Sequence, residues 1–161
     1  MADFEIKNGV AIIPEGTTEI GEGAFYDCAE LTSIVIPDSV TTIGKQLFRG
    51  CMKLTSITLP EGVTTIEDYA FYWCTKCTSV TLPESLIAIR EYGFNNLQSL
   101  EHITLPSNLR ILEFCAFSEC TGLKNITLPD SVTTVESNAF SNCTSLNWAD
   151  LGDSLTYLPD S

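Results

Sequence analysis

A β-rich repeat solenoid built from 23-residue coils is the fold class this chain predicts, and three observations predict it. Prolines at Pro14, Pro37, Pro60, Pro83, Pro106 and Pro129 keep a spacing of 23 residues. Phenylalanines at Phe25, Phe48, Phe71, Phe94, Phe117 and Phe140 keep the same interval. Short apolar segments separate these markers, and no window sustains a 3.6-residue period long enough for a full α-helix. Two residue types with different structural jobs share one spacing through six copies, so the period sets the register of the whole chain.

Each element follows from its column. Apolar residues recur at Leu31, Leu54, Cys77, Leu100, Leu123 and Leu146, then at Ile34, Ile57, Val80, Ile103 and Ile126, then at Ile36, Leu59, Leu82, Leu105 and Leu128. The resulting L-x-x-I-x-I places inward side chains two apart, which predicts one short strand per coil and a parallel sheet on one face. Proline followed by Asp or Glu and Ser or Gly ends that strand, because proline has no N–H and fixes its own φ. The V-T-T-I segment, as in Val40-Thr41-Thr42-Ile43, alternates inward and outward and predicts a second extended piece on the far side. In A-F-x-x-C, as in Ala70-Phe71-Tyr72-Trp73-Cys74, a large ring sits beside a small neighbour, which predicts a turn or 3₁₀ segment.

Coils stacked at a strand spacing of ~4.8 Å make a rod roughly 30 Å long. Each depends on its neighbours, so the ends need covers. The sequence therefore reads as one domain over 1–161: a hairpin cap over 1–13, six repeats over 11–148 and a partial seventh repeat over 149–161. Asn8-Gly9 between two apolar arms marks the hairpin. Gly152 stands where the seventh proline is expected. The unfinished last coil leaves two association states open, a monomer and an end-to-end dimer through the C-terminal coil.

The full repeat, I-T-L-P-x-S-V-T-x-I-x-x-x-A-F-x-x-C-x-x-L, has the L-x-x-L-x-L core of a leucine-rich repeat. From about residue 10 onward it resembles the BspA-like (Treponema pallidum type) class. The departures are local: Leu97 replaces the column cysteine, and Leu47 and Gly93 replace its alanine. The resemblance implies a curved, right-handed leucine-rich-repeat superhelix. It also implies a place at the cell surface or in a secreted, longer protein, and adhesion to a host extracellular or surface protein. Fold alone names no ligand.

Charge and composition narrow the function classes. Twenty-one acids against 8 bases give a formal net charge of −13, which argues against binding nucleic acid or anionic lipid. No segment is long and apolar enough to insert in a membrane, and Met1-Ala2-Asp3-Phe4 lacks the basic and apolar regions of a secretory signal, so the chain by itself reads as soluble.

The period also disarms the apparent chemical motifs. Cys28, Cys51, Cys74, Cys120 and Cys143 form one column, and Leu97 in its remaining place says the column wants apolar bulk. Stacked side chains ~4.8 Å apart are too far for the 3.5–4.5 Å Cβ separation of a disulfide, so free thiols are expected. Cys74-Thr75-Lys76-Cys77 looks like C-x-x-C, yet its two cysteines belong to different columns. Cys115 breaks a column of Gly23, Gln46, Tyr69, Tyr92 and Asn138, and is expected to be the most exposed thiol. His102 is the only histidine, and no nucleophile elbow, phosphate loop or H-E-x-x-H is present. The chain thus reads as non-catalytic, with neither cofactor nor metal called for. Glu15, Asp38, Glu61, Glu84, Asp130 and Asp153 form an acidic turn column that suits either exposed turns or weak cation binding.

Binding residues are sought where the fold leaves positions free. The outward strand rows read Ser33, Ser56, Ser79, His102, Asn125, Trp148 and Val35, Thr58, Thr81, Thr104, Thr127, Asp150, with a flanking row Thr32, Thr55, Thr78, Glu101, Lys124, Asn147. The first half is a bland hydroxyl surface. The second half predicts a partner-protein site of Glu101, His102, Thr104, Lys124, Asn125, Thr127, Asn147, Trp148 and Asp150, a mixed polar surface around one tryptophan. The alternatives are a spacer arm in a larger protein, or an ice- or cation-binding surface.

Overall fold

The computed structural model describes residues 4–150, the last three as backbone only. Strands β1 (Ile6–Lys7) and β2 (Val10–Ile12) pair antiparallel around Asn8 and Gly9, which hold φ of 51° and 81°. Two consecutive left-handed residues make the tight turn that Asn-Gly favours. On the strand face follow β4 (Ser33–Val35), β6 (Ser56–Thr58), β8 (Ser79–Thr81), β11 (Asn125–Thr127) and β13 (Trp148–Asp150). On the back lie two-residue strands from each V-T-T-I-type segment: β3 (Glu19–Ile20), β5 (Thr42–Ile43), β7 (Thr65–Ile66), β9 (Ala88–Ile89), β10 (Ile111–Leu112) and β12 (Thr134–Val135). Pairing between coils is parallel throughout, with partners 23 residues apart, as in Ile57 opposite Val80 and Ile66 opposite Ile89. No helix occurs among the described residues. The partial seventh repeat beyond residue 150 lies outside them.

Neither sheet runs unbroken. The strand face divides into β1-β2-β4, β6-β8 and β11-β13, and the back divides into β3-β5 and β7-β9-β10-β12. The continuous ladder lies instead on the third side, along the A-F-x-x-C turns. There every other N–H reaches the next coil: Gly23 to Lys45 at 2.9 Å, Phe25 to Leu47 at 3.1 Å and Asp27 to Arg49 at 2.7 Å. Three bonds of this kind join every successive pair of coils as far as Ser137, Ala139 and Ser141. The intervening N–H groups close turns within their own coil, as Tyr26 does on Gly23. The first and last donors of each triple sit at positive φ, for example Tyr69 at 57° and Trp73 at 65°. A left-handed residue at each end of the turn swings its N–H toward the neighbouring coil, so this conformation is what satisfies the segment's backbone.

The core is a stack of columns. Phe25, Phe48, Phe71, Phe94 and Phe117 are at most 1% exposed. Their rings follow one another at 5.1–5.6 Å, and Phe4 and Phe140 extend the column at each end at 5.7 Å. Beside it, the thiols of Cys51, Cys74, Cys120 and Cys143 donate to the carbonyls of Phe25, Phe48, Phe94 and Phe117 at 3.0–3.1 Å. Cysteine therefore supplies a weak donor as well as apolar bulk, pinning each coil to the one before it.

Candidate functional site

Among the residues proposed from the strand rows, Glu101, His102, Thr104, Lys124, Asn125, Thr127 and Asn147 are all exposed on one face. Trp148 and Asp150 lie on β13, their side chains outside the described residues. The structure departs from one-strand-per-coil regularity here, because Glu101–Pro106 form no strand. The flanking row changes character at the same coil. Thr32, Thr55 and Thr78 each tie to the preceding coil twice, through the backbone N–H and the hydroxyl, both to a carbonyl of Gly9, Thr32 or Thr55. Glu101 has no such hydroxyl, and no bond joins its N–H to Thr78. The one backbone rung between this segment and its neighbours is Lys124 N–H to Glu101 O at 3.0 Å.

Side chains partly replace the missing rungs. Lys124 Nζ lies 2.5 Å from Glu101 Oε2, and the ammonium holds the Glu101 carboxyl below its usual range. His102 Nδ1 is 3.4 Å from Asn125 Oδ1. Ser107 donates twice to Glu84 Oε2. Between β8, the fifth-coil segment and β11 opens a cleft of about 710 Å³ with Glu84, His102, Thr104, Asn125 and Thr127 on its walls. It offers hydroxyls, amides, one imidazole and unpaired backbone groups to an incoming surface. His102 has no hydroxyl or thiol at hydrogen-bond distance among the described residues.

The acidic turn column acts within the fold. The Glu61 carboxylate accepts from the N–H groups of Glu84 and Ser85 at 3.1 and 3.3 Å, and Glu84 does the same for Ser107 at 3.1 Å. Each such carboxylate caps the turn of the next coil. No cluster of three metal-ligating side chains occurs among the described residues.

The rows chosen from sequence miss a second surface. On the turn edge, Tyr69 and Tyr92 stack at 4.9 Å and 10°, with Tyr72 edge-on to both and Phe114 edge-on to Tyr92. Trp73 lies parallel to Tyr72 at 5.8 Å. Arg49 places its guanidinium 5.3–5.6 Å from the centroids of Tyr26, Tyr69 and Tyr72. Tyr69, Trp73 and Tyr92 hold φ of 55–65°, a region costly for bulky side chains, on the order of 1–3 kcal/mol each. Other coils place Gly23, Gly50, Asn96, Asn138 and Asn142 in the same two columns. Aromatic residues in columns that suit glycine and asparagine were the available signal. It stayed unread because the left-handed backbone of those columns cannot be seen in the period.

Six copies of the BspA type leucine-rich-repeat region match the chain over residues 6–108 and 88–161. The chain is a BspA type leucine-rich-repeat protein. Its architecture is similar to that of a leucine-rich-repeat protein from Eubacterium ventriosum, 29% identical with a TM-score of 0.76, over 92% of this chain and 39% of that one. A Bacteroides ovatus leucine-rich-repeat protein is 29% identical at a TM-score of 0.68, over 91% and 46% of the two chains. A leucine-rich cell surface protein of Faecalibacterium prausnitzii is 28% identical at 0.53, over 89% and 54%. The chain thus spans about half or less of the length of each. No curated protein matches it. BspA type repeats form a family of generally protein-binding or surface-associated, typically non-catalytic proteins.

All seven thiols of the BspA type solenoid are free. The expectation for Cys115 is overturned: it is 7% exposed, and Cys28 is the most open of the seven. At φ 56° the Cys115 side chain turns in beneath Tyr92 and beside Ser118, within hydrogen-bonding reach of both. Cys28 begins its column, where no earlier coil covers it and the hairpin contributes only Phe4 to the neighbouring Phe25. Burial pushes Cys77 and Cys143 up to about 11 and Cys51 up to about 12, and holds Cys74 and Cys120 well above the ordinary thiol value. Alkylation of the native protein at neutral pH is expected to modify Cys28 alone within the time that denaturant exposes all seven. Mass mapping that finds Cys115 or the inner column labelled as fast would refute the packing described.

Proposed function

We propose that this BspA type solenoid is a non-catalytic adhesion module that binds a partner protein through the C-terminal half of its strand face, from Glu101 to Asp150. The observation that carries the reading is the fifth coil. Its strand segment alone among the described coils lacks a ladder, and it exposes His102 and Thr104 beside Asn125 and Thr127 in an open cleft. Exposed backbone donors and acceptors next to mixed polar side chains form a good rim for a protein interface. Trp148, one coil further along the same row, supplies the kind of anchor found at hot spots.

Support for surface display comes from the cell surface protein of Faecalibacterium prausnitzii that the chain resembles. A host extracellular protein is the partner class this favours. The test immobilises the solenoid and measures capture of purified extracellular-matrix proteins against a His102→Ala/Asn125→Ala/Trp148→Ala variant of matched melting temperature. At least a tenfold loss of affinity is expected. Unchanged affinity would move the contact surface elsewhere, and capture of no matrix protein by the parent chain would favour a spacer arm.

A further inference from the structure

The aromatic patch on the turn edge of the third and fourth coils lies apart from the strand face, and Trp73 is its most exposed ring. Trp73 is 47% exposed, and its column accepts Asn96, Glu119 and Asn142 in later coils. Tyr69, Trp73 and Tyr92 nevertheless occupy left-handed backbone positions that asparagine or glycine would hold with less strain. Bulky rings kept at strained, solvent-facing positions point to a contact made by the rings themselves.

The chemistry of that contact is written in the patch. Arg49 already lies over three tyrosine rings, so these rings accept a guanidinium in this geometry. It does so without a carboxylate partner, its guanidinium bonding Gln46 Oε1 at 2.9 Å. Lys45 is paired with Asp68, and Arg90 with Glu113. Glu67 and Glu91, each on the same turn one or two residues before a ring of the patch, form no ion pair among the described residues. Glu91 lies close enough to bear on the Tyr92 hydroxyl. Exposed Trp73 and half-buried Tyr92 therefore lie on turns that also carry carboxylates, Glu91 exposed and Glu67 acting on Lys45 and Arg90 as well, on a chain of net charge −13. Arginine above aromatic rings with a carboxylate alongside is favourable on both counts, and the planar guanidinium suits stacking better than an ammonium.

We propose that the turn-edge patch is a second docking surface, for an arginine-bearing basic segment of a partner protein whose guanidinium groups stack on Trp73 and pair with Glu91. Calorimetric titration of the whole chain with hexa-arginine, hexa-lysine and hexa-glutamate peptides tests it. Hexa-arginine is expected to bind several-fold more tightly than hexa-lysine, and hexa-glutamate not at all. Trp73→Asn, which leaves the charge unchanged and suits the left-handed backbone, is expected to weaken hexa-arginine several-fold without lowering the melting temperature. Glu91→Gln is expected to weaken it by a smaller factor and flatten its salt dependence. His102→Ala/Asn125→Ala is expected to have no effect, which separates this surface from the strand-face site. Equal hexa-arginine affinity in the parent chain and the Trp73→Asn variant would show diffuse attraction to an acidic protein and overturn the proposal, as would equal binding of the two basic peptides.

Discussion

Phe71→Ala is expected to destabilise the solenoid by about 3–5 kcal/mol, the usual cost of removing a fully buried phenylalanine. The ring is 0% exposed and lies between Phe48 at 5.2 Å and Phe94 at 5.1 Å. Alanine would leave a void in mid-stack that the coils cannot close, because the turn ladder holds their spacing on the same side. For a chain of this size the melting temperature should fall by roughly 10 °C or more. The loss should depend on position, since every interior ring has two neighbours and an end ring only one. Phe4→Ala, at the hairpin end of the column, is expected to cost about half as much. Chemical denaturation of both variants measures the difference, and equal losses would refute a stack stabilised by nearest neighbours.

Raising the pH is expected to unfold the protein well before its backbone chemistry is at risk. Thiols of an unfolded chain ionise near pH 8.5, whereas burial holds Cys77 and Cys143 protonated to about 11 and Cys51 to about 12, with Cys74 and Cys120 also raised well above the ordinary value. Below pH 8.5 both states carry these protons and stability is full. Above it the unfolded chain binds fewer protons than the folded one, so stability falls as pH rises through the folded values. Each thiol contributes about 1.4 kcal/mol per pH unit in that window, and five together up to about 7 kcal/mol per unit. Total stabilities of about 5–15 kcal/mol cannot withstand that for long. In reducing buffer the denaturation midpoint should drop steeply between pH 9 and 10.5, with thiolate absorbance appearing together with unfolding. A midpoint unchanged at pH 10.5, or thiolates forming in a chain that stays folded, would contradict the buried column.

The two expectations share a cause. Leucine-rich repeats are usually pictured as a strand sheet with connecting segments, yet here the sheets are interrupted and the A-F-x-x-C turns are not. The Phe stack, the S–H donors and the three-rung ladder all lie on this side. It holds the coils together while the strand face opens at the fifth coil. An opening between Ser79 and Asn125 is tolerated because the rungs from Tyr92, Phe94 and Asn96 to the fifth coil remain intact. The same division gives the turn-edge aromatics a rigid mount.

By itself the sequence determined the coil length, the inward columns, the Asn8-Gly9 hairpin, the back strands at V-T-T-I and the free state of the thiols. Each rests on a spacing of 2 or 23 residues, and such spacings survive without coordinates because identical coils must stack in register. It also located an exposed polar row from Glu101 to Asn147 by the loss of regularity. Only the tertiary structure decided what the irregular positions do. That the fifth-coil segment forms no strand depends on backbone pairing that the row does not reveal, since Lys124 and Asn147 also lack the hydroxyl of Thr55 and Thr78 and keep their rungs. That Cys115 is covered while Cys28 is open depends on which coil lies over each. That Tyr69, Trp73 and Tyr92 form one patch with Arg49 depends on left-handed backbone at two positions of every turn. Periodicity reports which residues share a column. Which way a broken column points is set by backbone dihedrals and by the neighbour above, and neither is written in the period.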